Sequence, residues 1–76
     1  MNFEEVKNII VETLNCDADA VVMEASLQED LEADSLDAVE LAMALEETFG
    51  VTIDDDKLSE MKTVGDIYNY LNEHVA

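Results

Sequence analysis

Arginine and proline are absent from this chain of 76 residues, and cysteine and histidine occur once each. With Cys16 alone, an intrachain disulfide or a cysteine-based metal cluster is excluded, and an unstapled small domain suits a reducing compartment. The one histidine, His74, is next to the C-terminal end, so a Ser-His-Asp triad has no base near any plausible nucleophile. No arginine is present to stabilise developing phosphoryl charge, and there is neither a phosphate loop nor a Gly-x-Ser-x-Gly elbow. No apolar run approaches the roughly 20 residues that span a bilayer. The start, Met1-Asn2-Phe3-Glu4-Glu5, lacks the basic region of a secretory signal. The expectation is a cytoplasmic, soluble protein that is not an enzyme.

What is present is negative charge. Twenty acidic residues against three lysines give a formal charge of −17, which repels nucleic acid and anionic membranes and attracts basic protein surfaces. The 49% of hydrophobic residues is enough for one small core, so the chain reads as a single domain over residues 1–76. With no proline to divide it, the chain must be parsed by caps and apolar spacing. The first helix follows Asn2 as N-cap, with Glu5 as capping-box partner and Phe3, Val6, Ile9, Ile10 and Leu14 on one face; it should end near Cys16. A long connection, Asp17 to Asp34, has a turn signal at Ser26-Leu27-Gln28-Glu29, and Leu27 and Leu31 are expected to pin it to the core. The second helix runs from Ser35 to Phe49 and is stopped by Gly50. A short third helix covers Asp55 to Met61. The fourth follows Thr63, whose capping-box partner is Asp66, with Val64, Ile67, Leu71 and Val75 in register. Val51-Thr52-Ile53 is too short and isolated for a sheet. The fold class is an all-α four-helix bundle, three longer helices and one short, with a long loop between the first and second.

The second helix has two different sides. Ala38, Leu41, Ala42, Leu45 and Phe49 share a broad apolar face that should meet the core. Asp37, Glu40 and Glu47 gather on the other side, flanked by Leu36 and Met43, which should be at least partly exposed and read as a docking surface. Glu46 and Glu47 stand in the last turn, where the helix dipole disfavours them, which suggests another use for their charge. Ser35 opens this helix, where unpaired N–H groups and the dipole favour an anion such as a phosphodiester. A lone serine here would by default be a cap, and Asp34 is an equally good one.

Two acidic alternatives explain less. Asp30, Glu32 and Asp34 alternate as calcium ligands would, but Ser35 occupies the glycine position of an EF-hand loop and Leu41 that of its bidentate glutamate. A carboxylate-rich mimic of nucleic acid suits the composition but leaves the context of Ser35 unexplained.

That context is Glu29-Asp30-Leu31-Glu32-Ala33-Asp34-Ser35-Leu36-Asp37-Ala38-Val39-Glu40-Leu41, continuing through Met43-Ala44-Leu45-Glu46-Glu47 to Thr63-Val64-Gly65-Asp66-Ile67-Tyr68-Asn69-Tyr70-Leu71. It resembles the acyl carrier proteins, the discrete carriers of type II fatty-acid synthesis, over nearly the whole chain. The tripeptide Asp34-Ser35-Leu36 alone is a weak signal; the length of the match is what decides. The resemblance implies that Ser35 bears 4′-phosphopantetheine, attached by a phosphopantetheinyl transferase, and that its thiol holds the growing acyl chain as a thioester. It implies that Asp34, Leu36, Asp37, Glu40, Met43 and Glu47 meet basic docking surfaces on the synthesis enzymes. It further implies that Leu27, Leu45, Ile53, Leu58, Met61, Ile67 and Tyr70 line a pocket for the chain, in a protein expected to be monomeric and to hold no metal. A polyketide or other carrier-dependent pathway stays open. Glu32 stands where the family usually has glycine, and Asp54 where proline commonly precedes the third helix.

Overall fold

In the computed structural model, which describes residues 2–75, chain direction is set mainly by caps. Asn2 is extended and its Oδ1 accepts the Glu5 N–H at 3.0 Å, starting α1 at Phe3–Leu14. Asn15 then takes a left-handed conformation, φ 54°, which stops the helix just short of the expected end at Cys16. Val6 and Ile10 are fully buried on its inner face. After a 3₁₀ turn at Ala18–Ala20 come α2 (Ser35–Phe49), α3 (Asp55–Glu60) and α4 (Val64–His74). Among the described residues there is no strand, only an isolated antiparallel bridge between Ser26 and Thr63. The all-α, four-helix class follows directly from the sequence pattern.

The long connection is pinned twice. Leu27 and Leu31 are buried in the same cluster as Ile10, Leu45 and Leu71. Its backbone also bonds the α3–α4 corner: the Leu27 N–H donates to the Lys62 carbonyl at 2.9 Å and the Val64 N–H to the Ala25 carbonyl at 3.0 Å. The Gly65 N–H donates to the Met23 carbonyl at 2.9 Å, and a β-carbon at Gly65 would sit 2.8 Å from that oxygen. Because the neighbour is backbone and not a flexible side chain, Gly65→Ala should destabilise by about 1–3 kcal/mol, as overpacking does. Chemical denaturation with an unchanged midpoint would contradict this.

Both departures from the family pattern keep the backbone that the usual residue would favour. Glu32 has φ 56°, the left-handed region where glycine is at ease. Asp54 has φ −70° and ψ 150°, within proline's range. Glu32→Gly should therefore raise stability by about 0.5–1 kcal/mol, relief of the left-handed strain exceeding glycine's extra chain entropy. A melting temperature that falls would show that the Glu32 side chain contributes more than its backbone costs.

The remaining ends differ little from the sequence reading. Helix α3 stops one residue early: Met61 is extended and buried as its C-cap. Val75 likewise lies past the end of α4 as an extended C-cap. Thr63 and Asp66 form a complete capping box, and the Asp66 carboxylate also accepts the Lys62 N–H. Those backbone donors hold the Asp66 carboxyl below the usual aspartate range. At the end of α2, Gly50 is left-handed at φ 67° as expected of a helix stop. The Glu46 carboxylate accepts the Ile53 N–H at 2.8 Å, so the charge that looked misplaced in the last turn ties the α2–α3 connection to the helix.

Candidate attachment site and docking face

Which residue caps α2 decides what Ser35 is free to do. Asp34 is the N-cap: its Oδ1 accepts the Asp37 N–H at 2.9 Å, and Asp37 Oδ2 accepts the Asp34 N–H in return at 3.4 Å. This capping box, which the sequence reading left undecided between Ser35 and Asp34, makes Ser35 the first helical residue. Ser35 is exposed, and among the described residues its hydroxyl takes part in no hydrogen bond. The one histidine is engaged elsewhere. The His74 Nδ1 lies 2.8 Å from the Tyr70 carbonyl, and the His74 ring stacks on Tyr70 at 4.1 Å. Burial chiefly, with the nearby Asp17 charge, pushes the Cys16 thiol up.

Ser35 and Asp34 stand on the lip of a cleft of about 730 Å³ between the long connection, α2 and α3. Its apolar wall is Leu27, Ala33, Ala38, Val39, Leu58 and Met61; its polar rim includes Ser26, Gln28, Glu29, Asp55, Ser59 and Lys62. Of the residues expected to line an acyl pocket, Leu27, Leu58 and Met61 do face this cleft. Leu45, Ile53 and Ile67 are instead buried in the core, and Tyr70 is half-buried with its hydroxyl donating to the Thr52 carbonyl at 3.0 Å. Reaching Leu45, Ile53 and Ile67 requires the core to open. Ala33, Ala38 and Val39, which the sequence reading missed, join the wall because the loop and α2 converge there.

Outside the cleft mouth, Leu36 is 67% exposed and Met43 55% exposed, as the helical spacing predicts. Val39, 44% exposed, falls between them at i+3 and completes an apolar stripe. Asp34, Glu40 and Glu47 are exposed around it, whereas Asp37 is half-buried and shared with the capping box. The whole is an apolar strip bordered by carboxylates, beside a free hydroxyl.

A phosphopantetheine attachment site model matches residues 4–71 of the chain. The chain belongs to that family. It is 54% identical over 71 residues to the acyl carrier protein of Petrotoga mobilis, covering 93% of this chain and 84% of that one. With the acyl carrier protein of Thermosynechococcus vestitus it shares 53% over 73 residues, 96% and 90% of the two chains. With that of Clostridium acetobutylicum it shares 49% over 74 residues, 97% and 96%. The family's prosthetic group is 4′-phosphopantetheine, and such a chain is a carrier and not an enzyme. The residues present fit the group: a hydroxyl released from capping, open to solvent on one side and to an apolar cleft on the other. No helix among the described residues is long and apolar enough to cross a membrane.

Proposed function

We propose that Ser35 is the attachment point for 4′-phosphopantetheine and that the protein delivers acyl groups to the enzymes of fatty-acid synthesis as a cytoplasmic, monomeric carrier domain. The observation that supports this best is the division of labour at the start of α2, where Asp34 caps and the Ser35 hydroxyl stays free. The bound group supplies a thiol that holds the acyl chain as an activated thioester. The chain's own residues do the rest. Ser35 fixes the root of the arm, and the cleft wall of Leu27, Leu58 and Met61 offers apolar cover. Tethering turns each encounter into delivery at high effective concentration. The transferase must bring the base, the metal and the coenzyme A site, since the described residues place no base at the serine.

The test is intact mass after incubation with coenzyme A and a broad-specificity phosphopantetheinyl transferase, then acyl loading and release by hydroxylamine, which cleaves thioesters. Gain of one arm, with loading that hydroxylamine reverses, is the expected result; an unmodified protein would overturn the reading.

Partner recognition is proposed to use Leu36, Val39 and Met43 as apolar anchors, with Asp34, Asp37, Glu40 and Glu47 steering basic surfaces. Reversing Glu40 and Glu47 together to lysine should slow association with a synthesis enzyme on the order of tenfold at low salt and flatten its salt dependence. Both side chains are exposed, so the melting temperature should hardly move. Stopped-flow rates equal to wild type would show these acids to be merely solvated.

A further inference from the structure

The cleft that opens at Ser35 has an acidic rim with one exception. Glu29, Asp34 and Asp55 line it, and Lys62 is the one cation among the described lining residues. The backbone of Lys62 is clamped from both sides: its N–H donates to Asp66 Oδ2 at 3.0 Å, and its carbonyl accepts the Leu27 N–H at 2.9 Å. Through Leu27, whose own carbonyl accepts the Ala33 N–H at 2.8 Å, the base of Lys62 is tied to the segment that leads into Ser35. Its side chain is exposed, and among the described residues its ammonium forms no ion pair. Lys57, by contrast, lies off the cleft and 3.9 Å from Glu60.

An arm rooted at Ser35 carries one permanent charge, the anionic phosphodiester. A chain of net charge −17 tends to drive that anion outward, and the cleft's carboxylates add to the repulsion. A flexible ammonium on a fixed base is the form of cation that meets a phosphate as a point charge. We propose that Lys62 is a positioning residue for the phosphopantetheine arm, drawing its phosphodiester to the cleft side of Ser35 so that the pantetheine lies along the apolar wall. The proposal rests on Ser35 as the attachment point. An exposed pair of this kind shifts the in-cleft population by about two- to fivefold.

The test uses the full chain bearing the arm, in wild type, Lys62→Gln, Lys62→Arg and Lys57→Gln. The readouts are the ³¹P shift of the phosphodiester and the NOE intensity between the pantetheine methyls and the side chains of Leu58 and Met61. Lys62→Gln should move the ³¹P resonance and lower the NOEs about two- to fivefold. Lys62→Arg should restore both, and Lys57→Gln, which removes the same charge elsewhere, should leave both as in wild type. Raising salt should bring wild type toward Lys62→Gln. Equal spectra for wild type and Lys62→Gln, or equal changes in Lys57→Gln and Lys62→Gln, would overturn the role of Lys62. Backbone amide spectra confirm folding, and the methyl-bearing Met61 and Leu58 shifts of the apo proteins exclude a reshaped cleft as the cause. If wild type gains no arm at all, it is the attachment reading that fails; if the arm is present and the signals ignore Lys62, only the positioning role does.

Discussion

Ser35→Ala should gain no phosphopantetheine, while the wild-type chain gains one. The contrast is expected to be all or none because the other serines are already committed. Ser26 Oγ accepts the Glu29 N–H at 3.2 Å inside a turn, and Ser59 Oγ donates to the carbonyls of Asp55 and Asp56 at 3.0 and 3.1 Å. Thr63 Oγ1 is held as the cap of α4, accepting the Asp66 N–H. Among the serines, only Ser35 has a hydroxyl both exposed and outside the hydrogen bonds of the fold. The substitution should leave the structure intact, since Asp34 does the capping; its effect on stability should stay within about 0.5 kcal/mol, the range of ordinary surface changes. Asp34→Ala, which removes the cap, should cost about 1 kcal/mol. Intact mass and peptide mapping supply the first measurement and urea unfolding the second. Modification at Ser26 or Ser59 would sink the assignment, and so would a large stability loss in Ser35→Ala, because the serine would then have been structural.

Thermal stability of the acylated protein should rise with chain length and then level off. Each methylene withdrawn from water contributes up to about 0.8 kcal/mol, and stabilisation appears only if the chain is bound by the folded state. The cleft at Ser35 offers the first such surface, walled by Leu27, Ala33, Ala38, Val39, Leu58 and Met61. Beyond it lie Leu45, Ile53 and Ile67, packed in the core at no more than 8% exposure. A longer chain reaches them only by prising the helices apart, so the gain per methylene should shrink once the cleft is filled. Melting of the protein bearing the unloaded arm, a short acyl chain and a medium chain gives the slope. NOEs from chain methylenes, first to Leu58 and Met61 and later to Ile53 and Ile67, give the order of filling. A medium chain that melts no higher than the unloaded arm, with no such contacts, would mean that the cargo stays in water.

The sequence by itself determined the elements and singled out the serine proposed as the attachment point. Caps are local: Asn2, Thr63 with Asp66, and Gly50 act within a few residues of themselves, so the helix bounds could be read almost to the residue. Apolar spacing is local too, and it placed Leu41 and Leu45 inward and Leu36 and Met43 outward. Ser35 stood out through the length of its family match. Tertiary structure decided what depends on atoms distant in sequence. It showed the Glu46 carboxylate meeting the Ile53 N–H across the α2–α3 connection, and Gly65 lying too close to the Met23 carbonyl for any side chain. It also split the expected pocket, with Leu27, Leu58 and Met61 on the cleft and Leu45, Ile53 and Ile67 sealed in the core. An apolar residue reports in its sequence pattern only that it turns away from water. Whether it then faces a cleft or a neighbouring side chain is set by how the long connection packs against α2 and α3.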